Sequence, residues 1–414
     1  MKYNFDQYIE RRNTRSVKWD EAAEGVLPLW VADMDFATAP CVQQAIVRRA
    51  MHPCYGYTLV PDEYYASIIR WFWERHGWHI RREEILYTIG VVPAIAAILK
   101  AMTQLGDNVV ILTPIYNCFY NLIRNAGCQA AEVPLRVNGE KSEEGGEGDA
   151  VTFSIDWERL EEALAQEKST VMLLCNPHNP VGRIWTEPEL QRVAGLCVKH
   201  HVQLISDEIH NELTRPGTDY VPLARALATS QPRDLTTSQP QYAVCTSPSK
   251  SFNIAGLQNA NVIVPDPELR RRIDRAINLN ETCDVNPFGV EAVIAAYSEG
   301  DEWLDELRQY IWGNYDFARA YLNKECPGIR IADLQATYLM WAEFRGCTMT
   351  SAEVSRRLQD EAGVWFTAGS AYGRDGEGWL RINLATCRAT LAEALQRFVQ
   401  WMKAQSSSPN TEVQ

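Results

Sequence analysis

The sequence lacks the features of a membrane protein or a metalloprotein. No run approaches the roughly 20 apolar residues that a membrane-spanning helix needs, and residues 1–6 contain no apolar leader core. The 11 cysteines are scattered, with no CxxC pair and no Cys/His cluster at metal-ligand spacing. We therefore expect a cytoplasmic protein with reduced thiols, no metal and no membrane partner.

Positive charge is also scarce. Lys and Arg number 40 against 53 Asp and Glu, which gives a formal net charge of −13. Such a balance opposes binding to nucleic acid or to anionic membranes, so we expect neither as a partner. With 414 residues, 46% of them hydrophobic, the chain is long enough for two or three domain-sized units.

Apolar runs alternate with helical patterns between about residues 61 and 264. The predicted strands are Ile85–Ile89, Asn108–Leu112, Val171–Cys175, Val202–Ser206, Tyr242–Thr246 and Asn261–Val264. The predicted helices between them include Pro61–His76, Pro93–Leu105, Asp156–Gln166 and Glu187–His200, the last with a capping box from Thr186 and Glu189. This alternation predicts an α/β fold with a mostly parallel sheet covered on both faces.

The pattern changes after about residue 285. Long helices and a few strands follow, namely Asn286–Ser298, Glu302–Lys324, Thr337–Glu343, Trp379–Leu384 and Ala389–Lys403. We predict a large α/β domain over 46–285, a smaller α+β domain from 1–45 and 286–405, and a disordered tail over 406–414. The polar inserts 138–150 and 229–241 predict surface loops, and whether they touch a site stays open.

One lysine and one aspartate carry the strongest chemical signal. Lys250 lies between serines in Ser247–Asn253, 43 positions after Asp207, which ends a predicted buried strand. A lysine can form a Schiff base with an aldehyde cofactor, and a buried aspartate can hold a protonated pyridine nitrogen. Pyridoxal 5'-phosphate (PLP) enzymes need both groups, because the cofactor withdraws electrons well only while its ring nitrogen is protonated.

Several further motifs follow one another in a family's order. They are Asp6, Arg11-Arg12, Ser16–Asp20, Leu29–Phe36, Tyr55–Thr58, Asn176–Gly182, Ser206–His210, the Lys250 segment and Trp379–Asn383. Together they resemble the fold-type I PLP enzymes of the class I/II aminotransferase family, over almost the whole chain. The Trp30–Phe36 and Ser206–His210 segments are most similar to the cystathionine β-lyase, or cysteine-S-conjugate lyase, branch.

The resemblance assigns roles to the residues that match its motifs. Lys250 would bind the cofactor and then move the Cα proton of the substrate, and Asp207 would pair with the pyridinium nitrogen. Asn179 would donate to the phenolic oxygen, and Tyr116 would stack on the ring. The wider family has a tyrosine at position 210. His210 stands there instead, so contact with the phenolic oxygen and plain burial are both open.

The cofactor phosphate needs hydrogen-bond donors. The backbone N–H groups of Val91 and Val92 lie at the predicted start of a helix, where the helix dipole favours anions. Ser247 and Ser249 can add hydroxyl groups. Many relatives have an arginine eight positions after the lysine, but this chain has Gln258.

Two further residues match positions outside the cofactor's immediate segments. Tyr57 matches a tyrosine that reaches the phosphate across a dimer interface, and Tyr55 is a second candidate. The resemblance therefore implies a homodimer with the sites at the interface. Arg381 matches the arginine that binds the α-carboxylate of an amino-acid substrate through a bidentate pair.

The implied reaction is elimination from an L-cysteine S-conjugate such as L-cystathionine, which releases a thiol (homocysteine), pyruvate and ammonia. The alternative is an aminotransferase of an aromatic or other neutral amino acid, because the two reactions share most catalytic residues. A purely non-catalytic binding protein on this fold should have lost Lys250 or Asp207, and both are present. The sequence does not reveal which sulfur substituent is preferred, and a secondary binding role stays open.

Overall fold

The computed structural model describes residues 1–139, 151–229, 240–279, 283–344 and 348–407. Within these residues the helices are α1 (Val17–Asp20), α2 (Pro40–Met51), α3 (Asp62–His76), α4 (Val91–Met102), α5 (Cys118–Asn125), α6 (Trp157–Leu164), α7 (Glu187–Lys199), α8 (Leu223–Thr229), α9 (Pro267–Asn278), α10 (Pro287–Glu299), α11 (Asp301–Glu325), α12 (Ser351–Ala362) and α13 (Arg388–Ser407). The strands are β1 (Leu27–Pro28), β2 (Ile85–Thr88), β3 (Asn108–Thr113), β4 (Gln129–Pro134), β5 (Arg136–Asn138), β6 (Thr152–Ser154), β7 (Ser169–Cys175), β8 (Gln203–Asp207), β9 (Tyr242–Thr246), β10 (Ala260–Ile263), β11 (Ile329–Ile331), β12 (Leu339–Phe344), β13 (Val364–Trp365), β14 (Thr367–Ala368) and β15 (Trp379–Asn383).

A seven-stranded sheet forms the centre of the larger part of the chain, in the order β2-β10-β9-β8-β7-β3-β4. All neighbouring pairs from β9 to β4 are parallel, whereas β10 runs antiparallel to both β9 and β2. The predicted mostly parallel sheet is therefore confirmed. Because β10 is antiparallel to both of its neighbours, β2 points in the same direction as β9 and the other parallel strands.

Both faces of this sheet are covered. Val109 and Ile111 of β3 face a core that includes side chains of α4, α5 and α9. Their neighbours Val110 and Leu112 face the opposite core, which includes side chains of α2, α3, α7 and α10. Burial on both faces explains why the strands are continuous apolar runs rather than alternating ones.

The predicted capping box is confirmed at the start of α7. The hydroxyl of Thr186 accepts from the N–H of Glu189 at 3.4 Å, and the Glu189 carboxylate accepts from the N–H of Thr186 at 2.8 Å. At α4 the prediction was less accurate, since the helix begins at Val91, two residues before Pro93. Proline is tolerated there because the first turn of a helix does not need its N–H.

A second sheet of four antiparallel strands has the order β11-β12-β15-β14. Its core is built mostly from residues after 311, and it includes Leu29 from the N-terminal segment. The side chains of α10, by contrast, pack into the same core as α2 and α3. The domain boundaries predicted at 45 and 285 stay predictions.

Parts of three predicted irregular segments lie outside the described residues, namely 140–150, 230–239 and 408–414. Residues 406 and 407, predicted to be disordered, belong to α13. No described helix is both long and apolar enough to cross a membrane.

Candidate active site

The predicted site residues follow strands of the large sheet at one edge. Asp207 ends β8, Asn179 follows β7, Tyr116 follows β3 and Lys250 follows β9. These strands are parallel, so their carboxyl ends meet at the same edge, where ligands bind in open α/β sheets. Arg381 reaches the same place from β15 of the small sheet, since it hydrogen-bonds Asn179.

Asp207 is buried, with 4% of its surface exposed. Its carboxylate accepts the N–H of Ile209 at 3.1 Å. Burial raises the pKa of Asp207 to about 7, and the neighbouring charge of Glu208 adds to the rise. A cation bound beside this carboxylate would reverse that trend, so the position suits a protonated ring nitrogen.

The amine of Lys250 donates to the carbonyl of Ala32 at 2.7 Å. Loss of hydration lowers the pKa of Lys250, and the positive charge of Arg381 lowers it further, while Asp33 and Asp207 act in the opposite direction. Within the described residues, Lys250 forms no direct ion pair. A desolvated lysine of lowered pKa is more readily deprotonated and hence a better nucleophile toward an aldehyde.

Arg381 is buried without an acidic partner among the residues that the structure describes. Its Nη2 donates to the carbonyl of Trp30 at 2.9 Å and its Nη1 to Oδ1 of Asn179 at 3.3 Å. The guanidinium lies 4.9 Å from the ring centre of Tyr372, and its Nε has no hydrogen-bond partner. A buried charge with only neutral partners is costly, and a ligand carboxylate would compensate it.

Tyr116 and His210 lie within electrostatic range of these groups. Tyr116 is half-buried and meets Phe119 edge-on at 5.7 Å, and burial raises its pKa. His210 is buried, and its Nδ1 has no hydrogen-bond partner. Burial, together with the charges of Lys250 and Arg381, lowers the pKa of His210 to about 3, so its imidazole is neutral. The two roles predicted for His210 stay open.

The predicted phosphate donors divide into two groups. Val91 and Val92 are the first two residues of α4, so their N–H groups have no acceptor within the helix. Ser249 is half-buried, and no described group accepts its hydroxyl. The hydroxyl of Ser247, however, donates to the carbonyl of Asn259 at 2.6 Å and accepts the N–H of Ser249 at 3.1 Å. Ser247 is therefore engaged in holding the loop.

Tyr57 is the one predicted site residue that the single chain leaves fully exposed. Its neighbour Tyr55 donates its hydroxyl to the carbonyl of Ala50 at 2.6 Å, close in sequence and on the surface. Other large apolar side chains on this segment, Met51 and Leu59, are also exposed. The structure of one chain thus does not bring Tyr57 to the other site residues.

The sequence reasoning missed several groups that complete the site. The carbonyls of Trp30 and Ala32 hold Arg381 and Lys250, and Tyr372 packs against the guanidinium. His178 donates from Nε2 to the carbonyl of Pro114 at 2.9 Å, which connects the loop of Asn179 to that of Tyr116. Trp30, Ala32 and His178 lie in the motifs Leu29–Phe36 and Asn176–Gly182, but backbone acceptors have no side-chain signature.

Comparisons with known proteins give a consistent family. A family model described as "Aminotransferase class I and II" matches residues 24–398. "Cystathionine beta-lyase PatB" of Bacillus subtilis is 37% identical over 95% of this chain and 98% of its own length. Among solved structures, PLP-containing cystalysin from Treponema denticola has a TM-score of 0.88 at 30% identity, covering 98% of this chain and 100% of its own. The PLP-bound C-S lyase from Staphylococcus hominis has a TM-score of 0.84 at 29% identity, covering 96% and 98%.

Proposed function

Because the chain belongs to the aminotransferase class I and II family, we propose that it is a PLP-dependent carbon–sulfur lyase. Its substrates are L-cystathionine or related L-cysteine S-conjugates. The proposal is supported by the full-length similarity to a protein named cystathionine β-lyase and to two structures named cystalysin and C-S lyase.

The ring side of the site fits PLP. Lys250 has the amine for covalent attachment, and Asp207 has a buried carboxylate that forms no ion pair with any described residue. Asn179 would donate to the phenolic oxygen, which is consistent with its amide oxygen accepting from Arg381. Tyr116 supplies the aromatic face. PLP supplies the electron-withdrawing ring that makes the substrate's Cα–H acidic.

The phosphate side fits as well. The N–H groups of Val91 and Val92 at the start of α4 and the hydroxyl of Ser249 supply neutral donors. The hydroxyl of Ser247 accepts the N–H of Ser249 and donates to the carbonyl of Asn259, so we do not include it among the phosphate donors. In a homodimer, Tyr57 of the second subunit supplies one more hydroxyl, which is consistent with its full exposure in a single chain.

Arg381 carries the argument for an amino-acid substrate. Its buried guanidinium has two neutral oxygen partners, and its charge is left for a ligand. Binding the α-carboxylate there fixes which bond of Cα stands perpendicular to the cofactor ring. The amine of Lys250, when not bonded to the cofactor, would take the proton from Cα.

The reaction then breaks one bond at Cβ. The Cα–H electron pair forms the Cα–Cβ double bond, and the Cβ–S pair leaves with the sulfur, which takes up a proton to become the thiol. Water hydrolyses the released enamine to pyruvate and ammonia. An aminotransferase would instead keep the Cβ–S bond and require a 2-oxo acid acceptor.

A matched substrate pair tests this proposal. L-Cystathionine and its carbon analogue, in which a methylene replaces sulfur, carry the same α-amino and α-carboxylate groups. We expect thiol release from L-cystathionine and no 2-oxo acid from the analogue when no acceptor is present. Equal amino-group transfer from both compounds, only with an acceptor, would favour the aminotransferase and overturn the lyase.

We also propose a homodimer and a cytoplasmic location. The exposed apolar residues Met51, Tyr55, Tyr57 and Leu59 are consistent with an interface at this segment. Ten described cysteines are free thiols, consistent with a reducing compartment. Sedimentation of the PLP-loaded protein tests the dimer, and a fully active monomer would contradict it.

A further inference from the structure

Five successive backbone carbonyls, those of residues Trp30–Met34, accept hydrogen bonds from side chains. We call this segment the strap. Its donors come from the small sheet, from the loop after β9 and from the N-terminal region. The carbonyl of residue 30 accepts from Nη2 of Arg381 at 2.9 Å and from the hydroxyl of Thr367 at 2.6 Å. The carbonyls of residues 31 and 33 both accept from Nδ2 of Asn383 at 2.7 Å, and that of residue 33 also accepts from Nζ of Lys18 at 3.0 Å. The carbonyl of residue 32 accepts from Nζ of Lys250 at 2.7 Å, and that of residue 34 accepts from Arg11 at 2.8 Å and from Asn253 at 3.1 Å.

Asn383 holds the middle of the strap. It follows Arg381 by two positions on β15, and both side chains reach the strap. Its single amide donates to the carbonyls of Val31 and Asp33, which flank Ala32. Its Oδ1 accepts the N–H of Ala385 at 2.8 Å, and 1% of its surface is exposed.

We propose that Asn383 is a positioning residue, which fixes the carbonyl of Ala32 as the acceptor that holds the free amine of Lys250. The inference rests on the proposed role of Lys250 in cofactor attachment and proton transfer. With residues 31 and 33 tied to one side chain, the intervening carbonyl has little freedom to move. The lysine amine therefore meets a fixed acceptor whenever it is not bonded to the cofactor.

Two measurable consequences follow. A carbonyl acceptor stabilises a charged ammonium more than a neutral amine, so losing its position should make Lys250 reactive at lower pH. Misplacing the amine should also slow proton removal from Cα, while substrate binding through Arg381 and Asn179 persists. The kcat should therefore fall by about tenfold or more with little change in KM, because a small displacement of a catalytic group lowers the reaction rate strongly.

Asn314 offers a matched control. It is also fully buried, and its Nδ2 likewise donates to two carbonyls, those of Leu384 and Thr386, at 2.8 and 2.9 Å. Among the described residues, Asn314 makes no hydrogen bond to the strap. Asn314→Ala should lower stability as Asn383→Ala does, without altering the lysine. Asn383→Leu removes the amide donor and keeps a branched side chain without adding a charge, so it serves if the alanine variant does not fold.

The first readout is the pH dependence of PLP attachment to each cofactor-free protein. The visible absorption of the attached cofactor measures how much has bound. We expect the midpoint to move down by about 0.5–1 pH unit in the Asn383 variants and to stay in place in Asn314→Ala. A midpoint that is unchanged in Asn383→Ala and Asn383→Leu would overturn the proposal and leave Asn383 a structural residue.

The second readout is kcat and KM, together with the isotope effect of an α-deuterated substrate. A lower kcat with a larger isotope effect in the Asn383 variants supports the proposal, whereas a rise in KM alone contradicts it. The attachment assay needs no turnover. If the wild-type protein released no thiol, the proposed lyase function would be rejected. The attachment assay would still decide the role of Asn383.

Discussion

Arg381 and Asn179 meet across the site although they are 202 positions apart in the sequence, with Nη1 of the arginine 3.3 Å from Oδ1 of the asparagine. The contact connects the group that would bind the substrate carboxylate to the group that would bind the cofactor oxygen. If both roles hold, this one contact would couple the position of the substrate to that of the cofactor.

Lys250→Ala should abolish covalent attachment of PLP and lower turnover by about 10²–10⁴-fold, the usual contribution of a positioned acid–base group. The absorption band of the lysine-bound cofactor and the rate of thiol release measure the two effects. Lys100→Ala is the control, since that lysine is exposed on α4. Normal turnover by Lys250→Ala would exclude the assigned role.

Asp207→Asn should stabilise the cofactor-free protein at about pH 8 by about 2–4 kcal/mol. The pKa of Asp207 is raised from 3.8 to about 7 in the folded state. Folding therefore favours the protonated carboxyl, and this contribution is fully present below pH 3.8 and is lost as the pH rises toward 7. Thermal unfolding as a function of pH measures the difference, which should vanish near pH 4. A difference that is the same at both pH values would contradict the assignment.

PLP should reverse this order of stability. A protonated ring nitrogen beside the ionised carboxylate stabilises the wild-type protein, whereas asparagine offers no charge. The increase in Tm on adding PLP should therefore be larger for the wild type than for Asp207→Asn. An equal increase in both proteins would show that Asp207 does not pair with the ring nitrogen.

Arg381→Lys should raise KM and lower kcat/KM by about 10–100-fold, because a lysine cannot form the paired hydrogen bonds of a guanidinium. The visible band of the attached cofactor should stay intact. Arg356→Lys is the control, since Arg356 forms an exposed ion pair with Asp360 at 2.8 Å. Unchanged kinetics in Arg381→Lys would argue against a carboxylate ligand at this position.

Ser249→Ala and Ser247→Ala should have different effects. Ser249→Ala should weaken PLP binding by about tenfold through loss of one hydrogen bond to a charged group, without changing the Tm of the cofactor-free protein. Ser247→Ala should lower that Tm, because the carbonyl of Asn259 and the N–H of Ser249 lose their partner. PLP titration and thermal unfolding measure the two quantities. A loss of PLP affinity in Ser247→Ala alone would reverse the assignment.

Much of the large sheet could be predicted because burial on both faces leaves a simple signal. Strands such as Val171–Cys175 are continuous apolar runs, and β7 extends this prediction by only two residues at its start. The positions of Asp207 at the end of β8 and of Lys250 after β9 could be predicted from these strands, and their roles stay predictions. Element ends were less accurate, as at Val91, because a proline in the first turn hides where a helix begins.

The strap could not be predicted from composition or periodicity. Its function in the structure depends on the carbonyls of residues 30–34, and every residue type has a carbonyl. The predicted position of Tyr57 at the phosphate of a second subunit stays a prediction, since a single chain leaves it exposed. Ser247 resembles Ser249 in sequence, and only the contact with Asn259 distinguishes them.

The most direct test of the central claim is the stoichiometry of products from L-cystathionine with the PLP-loaded protein and no 2-oxo acid. We expect homocysteine, pyruvate and ammonia in equal amounts over many turnovers. Absence of free thiol, with amino-group transfer only after a 2-oxo acid is added, would contradict it.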